Sequence, residues 1–377
     1  MPKPQPIDTH VDSASEPELN KYFKYAIKIG ASDLHLKVGQ APKIRVYGTL
    51  KTTTGEKMTE SKMEQLVFEI MSPAQKKFFM ENGALDFAHE VTDIDRFRIN
   101  IFRQRGMISL AARRISSNIP PFEALHLPPI VEKIAESPEG LILVTGPTGC
   151  GKSTTIASMI DHINRNSPCH IITIEDPIEY LHKDKKAIVS QREIGIDVPN
   201  YDDALRSLMR QDPDVVVIGE MRDNDTITAA MRAAETGHLV FGTMHSASAS
   251  QTVQRILDLF PQEERDLARQ NFALTCRAVV SQILLPSIKE GVDRIPAIEI
   301  LIANPIAKKL ISDGREADLP AVIRSCQNEG MQDFTDSLCH LVQKEYIELK
   351  TAYQHAPNSE ELKMALKGIR TTASGIL

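Results

Sequence analysis

The sequence has no tryptophan, few aromatic side chains and no excess of positive charge. Aromatic residues make up 5% of its 377 residues, and the formal net charge is −6. Proteins that track along single-stranded nucleic acid stack bases on aromatic side chains and neutralise phosphates with clustered lysine and arginine. Nucleic acid is therefore not an expected partner.

Long apolar runs are also missing. No run approaches the roughly 18 residues that a membrane-spanning helix needs, and residues 1–6 lack the apolar stretch of a signal peptide. We expect a cytoplasmic protein without membrane insertion, which can still dock on a membrane complex. The five cysteines include no C-x-x-C pair, so we expect reduced, structural thiols rather than a disulfide framework or a zinc ribbon.

The length predicts two domains, because one hydrophobic core rarely serves more than about 250 to 300 residues. Residues 1–17 are rich in Pro, Ser and acids, which predicts a disordered tail. We expect a small α/β domain over 18–117, a linker over 118–129 where prolines interrupt regular structure, and a second domain over 130–377.

Periodicity predicts the sheets. In the first domain, apolar and polar residues alternate over 34–38, 44–46 and 97–101, and Gly106 suits a turn into a strand at 107–113. In the second, four short apolar runs are separated by helical patterns, which predicts a parallel sheet covered by helices on both faces. Those runs are 141–144, 171–174, 215–218 and 239–241. We expect helices to dominate after Pro261.

A phosphate-binding motif follows the first of these runs. The motif G-x-x-x-x-G-K-[ST] lies between a predicted strand and a predicted helix, which makes it a specific signal for nucleoside triphosphate. Lys152 is expected to reach the β- and γ-phosphates, and the Ser153 hydroxyl to help hold Mg²⁺. We expect ATP to contact Gly146, Pro147, Thr148, Gly149, Cys150, Gly151, Lys152, Ser153 and Thr154.

Polar residues follow the other apolar runs, at the carboxyl ends of the strands where ligands bind in such sheets. Glu220 follows 215–218 directly and is the strongest candidate for an acid that binds metal or orients water. The other candidates are Glu175, Asp176, Glu179, Thr243 and His245.

Six arginines cluster on one predicted hairpin of the first domain, and a solvated polar face is the simplest explanation for them. A second interpretation is that one or two neutralise the γ-phosphate of a nucleotide held by a neighbouring subunit. They are Arg96, Arg98, Arg103, Arg105, Arg113 and Arg114.

Several motifs together resemble the secretion (type II/IV) ATPase superfamily, and within it the PilT-like type IV pilus retraction ATPases. They are residues 146–153, 173–180, 191–193, 210–214, 219–223 and 234–238. The resemblance implies a PAS-like N-terminal domain, a RecA-like ATPase domain, a homo-hexameric ring and an inner-membrane pilus platform protein as partner. By matching position, the expected site residues are Glu179 as catalytic acid, Glu220 as Walker B acid, His238 and His245 as the His-box pair, and Arg98 and Arg113 as γ-phosphate sensors.

Two features separate branches of this superfamily. The tetracysteine zinc motif typical of pilus extension ATPases is missing, which favours retraction. The retraction segment A-I-R-N-L-I-R-E aligns with residues 306–313, where Leu310 and Ile311 match but both arginines and the asparagine are replaced. The alternative interpretation is therefore an accessory PilU-like or other secretion ATPase. A nucleotide-dependent scaffold and a nucleic-acid translocase are less favoured.

Overall fold

The structure is a computed structural model that describes residues 16–46, 48–91 and 95–369. The chain divides into two compact units, with the boundary between Ser117 and Asn118. The expected tail lies outside the described residues, apart from Glu16 and Pro17. Among the residues described, no helix is both long and apolar enough to cross a bilayer.

The first unit is a six-stranded antiparallel sheet with three helices on one face. The alternating pattern places Leu34, Ile99 and Leu110 in a core with Phe23 and Phe79 of the helices, and the strand order is β3-β2-β1-β6-β5-β4. Its elements are α1 (Asn20–Lys28), β1 (Asp33–Lys37), β2 (Lys43–Val46), β3 (Thr49–Thr52), α2 (Glu60–Glu69), α3 (Pro73–Asn82), β4 (Ala84–Val91), β5 (Asp95–Gln104) and β6 (Met107–Ile115).

The predicted turn at Gly106 is confirmed. Arg105 and Gly106 both have positive φ, 53° and 80°, as the two central residues of a type I′ hairpin require. Glycine adopts this conformation without steric cost, which explains why the β5–β6 hairpin turns there.

The second unit is a seven-stranded sheet flanked by helices. Its strand order is β13-β12-β7-β11-β10-β8-β9. The six neighbouring strands from β12 to β9 in this order are parallel, and the edge strand β13 pairs antiparallel with β12. Its strands are β7 (Gly140–Thr145), β8 (His170–Glu175), β9 (Ile188–Glu193), β10 (Val215–Ile218), β11 (Leu239–Met244), β12 (Cys276–Pro286) and β13 (Arg294–Ile302). Its helices are α4 (Ile130–Ala135), α5 (Lys152–Asn166), α6 (Tyr201–Leu208), α7 (Asn224–Glu235), α8 (Ala249–Asp258), α9 (Arg265–Thr275), α10 (Pro305–Ser312), α11 (Leu319–Ser325), α12 (Phe334–Gln343), α13 (Leu349–His355) and α14 (Ser359–Leu366).

The four predicted strands of the parallel sheet are confirmed, and helices dominate after Pro261 as expected. Two strands in that part of the chain were not expected. Helices are numerous there, yet β12 and β13 are also the longest strands of this sheet. Their apolar residues come in short runs buried on both faces, and periodicity alone cannot distinguish such a run from a buried helix.

Residues 118–129, expected to be a linker, are grouped with the second unit. Phe122 and Leu127 pack against the buried cluster under α5, and the Ser158 hydroxyl donates a hydrogen bond to the carbonyl of Pro120. This segment is therefore anchored on the helix that follows the phosphate motif.

Candidate active site

A cavity of about 930 Å³ opens at the carboxyl ends of the parallel strands of the second unit. The loop after β7 and the first turns of α5 form one wall. The segments that follow β8, β10 and β11 form another, because parallel strands bring their carboxyl ends to the same edge. The sequence patterns placed most candidate residues at this edge, and the cavity is where they meet.

The loop between β7 and α5 can approach a phosphate closely. At Gly146 (φ 143°) a Cβ would lie 2.2 Å from the carbonyl oxygen of Gln282 and 2.6 Å from Cys150 Sγ, so only glycine fits. Gly151, with φ 93°, starts α5 and has no side chain to cap it. The first amides of the helix therefore remain available to an anion, which the helix dipole also favours.

The side chain of Lys152, the first residue of α5, folds back into this loop. Its side chain is buried, and Nζ donates to the carbonyls of Gly146 (2.9 Å) and Pro147 (3.1 Å). The crest, Pro147 to Gly149, is exposed. Ser153 and Thr154 also line the cavity, and Thr154 Oγ1 lies 3.0 Å from the hydroxyl of Tyr180.

Glu220 is fixed beside the phosphate loop by the end of β11. Its Oε1 lies 3.0 Å from His245 Nε2, and Oε2 pairs with Arg222. The Thr243 hydroxyl donates to the carbonyl of Gly219, and the backbone carbonyl of Thr243 accepts the N–H of Met221. These two hydrogen bonds hold the backbone on both sides of Glu220. The hydrogen bond from Arg222 lowers the pKa of Glu220, with His245 and Lys152 acting in the same direction. Glu220 is therefore a carboxylate at neutral pH.

The acids after β8 differ in environment. Glu175 accepts hydrogen bonds from the Thr173 hydroxyl (2.8 Å), the Gln191 amide (3.2 Å) and the backbone N–H of Glu179 (3.4 Å). Burial nevertheless raises the pKa of Glu175. Glu179 is exposed and lines the cavity. Glu175 thus holds the loop, while Glu179 is free to face a ligand.

His238, which was expected beside His245, does not line this cavity. It precedes β11, so it lies at the amino ends of the parallel strands. The strand β11 lies between His238 and His245, and their seven-residue separation corresponds to about 23 Å at about 3.3 Å per residue. His238 Nδ1 lies 2.9 Å from the carbonyl of Ala233. The His-box pair is therefore split between two edges of the sheet.

Arg98 and Arg113 belong to the first unit, where they face each other across the β5–β6 ladder. Arg113 Nε donates to Asp33 Oδ1 at 3.0 Å, and Arg45 approaches the same carboxylate at 3.5 Å. A row of charged residues thus crosses this sheet, with one aspartate between two arginines and Arg98 next to Arg113. The side chain of Arg113 is 75% exposed despite this ion pair, so it remains available to an anionic ligand.

Gln282 on β12 contacts the phosphate loop and was missed by sequence reasoning. Its side chain is buried and its amide hydrogen-bonds to Cys150 and Thr155. A glutamine inside an apolar strand was the available signal, but recognising it required predicting β12 as the neighbour of β7.

The donors in the cavity suit Mg²⁺, which prefers hard oxygen ligands. Ser153 supplies a hydroxyl and Glu220 an ionised carboxylate on the same cavity.

Another potential metal-binding group among the described residues comprises Glu132, Glu136 and His162. None of these three lines the cavity. The two carboxylates approach different ring nitrogens of His162, which is the arrangement of ion pairs rather than of ligands to one ion.

Comparison with known proteins identifies relatives along most of the chain. The family model described as type II/IV secretion system protein matches residues 9–339. A twitching motility protein of Neisseria gonorrhoeae is 42% identical over 85% of this chain and 86% of its own length. Two proteins of Pseudomonas aeruginosa also match: the type IV pilus retraction ATPase PilT, 40% identical over 90% of this chain and 98% of its own, and the type IV pilus ATPase PilU, 37% identical over 93% and 91%.

A solved structure extends the comparison. The crystal structure of the pilus retraction motor PilT with bound ADP has a TM-score of 0.83 and 43% identity, covering 92% of this chain and 99% of that one. The likeness confirms the predicted fold, a RecA-like ATPase domain with a smaller N-terminal domain.

Proposed function

This chain belongs to the type II/IV secretion system protein family, and we propose that it is a motor ATPase that drives type IV pilus retraction, as in twitching motility. One observation carries the proposal: a Lys152-bearing phosphate loop and an ionised Glu220, held by His245, share one cavity. The similarity to PilT along most of the chain supports the choice of pilus retraction as the work performed.

The chain's own residues suit ATP hydrolysis. Loop amides and Lys152 hold the triphosphate, and Mg²⁺ bound through Ser153 and Glu220 would offset charge on the β- and γ-phosphates. Glu220, kept ionised by Arg222, orients the attacking water, with Glu179 as the second candidate for this role. His245 fixes the orientation of Glu220 through its 3.0 Å contact.

The assembly is part of the same proposal. We infer a homo-hexameric ring in the cytoplasm that docks on an inner-membrane platform protein of the pilus machinery. Arg98 and Arg113 then sense the γ-phosphate, and their pairing across the β5–β6 ladder together with the exposed side chain of Arg113 supports this role. No nucleic-acid partner is included in the proposal.

The test combines enzymology with a cellular assay. The purified protein should release phosphate from MgATP, and deletion in the native cell should leave excess pili without twitching. Purified protein that binds ATP without turnover would indicate a scaffold. Clear stimulation of turnover by DNA would indicate a translocase, and either outcome would contradict the motor proposal.

A second candidate is an accessory retraction ATPase. The 37% identity to PilU over 93% of this chain is close to the 40% identity to PilT, and the replaced positions in 306–313 favour the accessory role. Expression in a cell that lacks its principal retraction ATPase distinguishes the two. Restored twitching supports the principal motor, and twitching restored only alongside a principal motor supports the accessory role.

A further inference from the structure

Gln282 of β12 lies directly behind the phosphate loop. Its side chain is 2% exposed. Its Nε2 donates to the carbonyl of Cys150 at 2.6 Å, and its Oε1 accepts from the hydroxyl of Thr155 at 3.0 Å. Both ends of one buried amide are thus used, one on the loop and one on the first turns of α5.

The backbone of Gln282 shapes the same loop. A Cβ added to Gly146 would lie only 2.2 Å from the carbonyl oxygen of Gln282. A Cβ added to Gly151 would lie 3.2 Å from Gln282 Nε2. The first and last glycines of the loop therefore rest against a single residue of the neighbouring strand. This contact is long-range in sequence, because β12 begins more than a hundred residues after the loop.

The hydrogen bond to Cys150 decides which way the loop presents its polar groups. The Cys150 peptide has its carbonyl turned toward Gln282, on the protein side. Since the C=O and N–H of a planar trans peptide point in opposite directions, the N–H of Gly151 points away from Gln282, and Gly151 itself lines the cavity. A carbonyl left buried without a donor would favour rotation of this peptide. Rotation would remove an amide from the phosphate site.

We propose that Gln282 is a positioning residue for ATP binding, which fixes the Cys150–Gly151 peptide so that the loop offers N–H groups to the phosphates. The inference rests on the proposed ATPase function and extends it to the strand that was not expected from the sequence. Gln282 contacts no reacting atom, so its effect is expected on nucleotide affinity more than on the chemical step.

The test measures the KM for MgATP and the kcat of the full-length protein. Gln282→Met keeps the side-chain volume and removes both hydrogen bonds, and KM is expected to rise about tenfold while kcat changes less than about threefold. Ser281→Ala is the matched control. It removes a buried 2.8 Å hydrogen bond between Ser281 of β12 and Thr145 of β7, without a contact to the loop crest, and is expected to leave KM unchanged.

Gln282→Glu adds a readout that a purely structural role would not produce. The ionised carboxylate keeps an acceptor for Thr155 but offers no donor to Cys150, whereas the protonated acid restores the donor. The ratio of its KM to the wild-type KM should therefore fall as the pH is lowered from 9 to 6. An unchanged KM in Gln282→Met, an equal rise in Ser281→Ala, or a ratio that does not fall with pH would overturn the proposal. Wild-type protein without turnover would instead contradict the proposed function.

Discussion

Glu299 gives the sharpest prediction of stability. It lies on β13, is 7% exposed, and its Oε1 accepts the backbone N–H of Ala249, the first residue of α8, at 2.7 Å. Burial raises the pKa of Glu299 from its ordinary 4.5 to about 7. Asp333 raises this pKa further and Arg324 lowers it, and these two groups pair with each other at 3.7 Å. The raised pKa means that ionising Glu299 costs stability in the folded protein.

The direction in which the free energy of unfolding changes with pH follows from proton binding. Between about pH 4.5 and 7 the folded protein retains the Glu299 proton, whereas the unfolded chain has lost it. The unfolded state binds fewer protons across this window, so the contribution of Glu299 to stability decreases as pH rises and levels off above about pH 7. The difference between 4.5 and 7 corresponds to about 3 kcal/mol.

The perturbation is Glu299→Gln, which keeps an acceptor for Ala249 and cannot ionise. Urea denaturation followed by circular dichroism at pH 5 and pH 8 gives the free energy of unfolding, and it suits a chain without tryptophan. Relative to the wild type, the free energy of unfolding of the variant should increase by about 2.5 kcal/mol between pH 5 and pH 8, because part of the effect is already present at pH 5. Glu290→Gln, an exposed glutamate between β12 and β13, is the control and should show no such gain. A difference between Glu299→Gln and wild type that is the same at both pH values would refute the reasoning.

Three further predictions concern the cavity. Lys152→Ala should weaken MgATP binding by at least about 100-fold, measured by equilibrium binding of a fluorescent analogue, because the buried ammonium faces the phosphate loop; binding of normal strength would contradict the whole site. Glu220→Gln should retain nucleotide affinity but lower kcat by at least about 100-fold, and normal turnover would remove Glu220 from the mechanism. His238→Ala should leave the Kd for MgATP within about twofold of wild type, since the ring lies at the opposite edge of the sheet; a large loss would contradict that placement.

The phosphate loop and the ends of its flanking strands could be predicted because their signals are local. Residues 146–153 encode a loop by spacing alone, and Glu220 directly follows an apolar strand. The support of Gln282 could not be predicted in this way, since it depends on β12 pairing with β7, a contact between distant segments. His238 shows that residues close in sequence can also lie far apart in the fold. It is close to His245 in sequence, but an extended strand carries neighbours in sequence to opposite edges of a sheet.

The departures in α10 bear on the choice between a principal and an accessory motor. The two residues that match the retraction pattern, Leu310 and Ile311, are buried in the core of the second unit. The replaced arginine and asparagine positions lie nearer the surface: Lys309 is exposed, and Lys308 and Ser312 are half-buried with polar contacts to α9. Ala307, which stands where the pattern has isoleucine, is apolar and buried. Buried positions maintain packing, whereas exposed ones determine what a surface recognises. We therefore expect these substitutions to leave the fold and the ATP site unchanged and to alter what the surface of α10 recognises. A principal and an accessory motor are then expected to differ in the partner of this surface rather than in nucleotide chemistry.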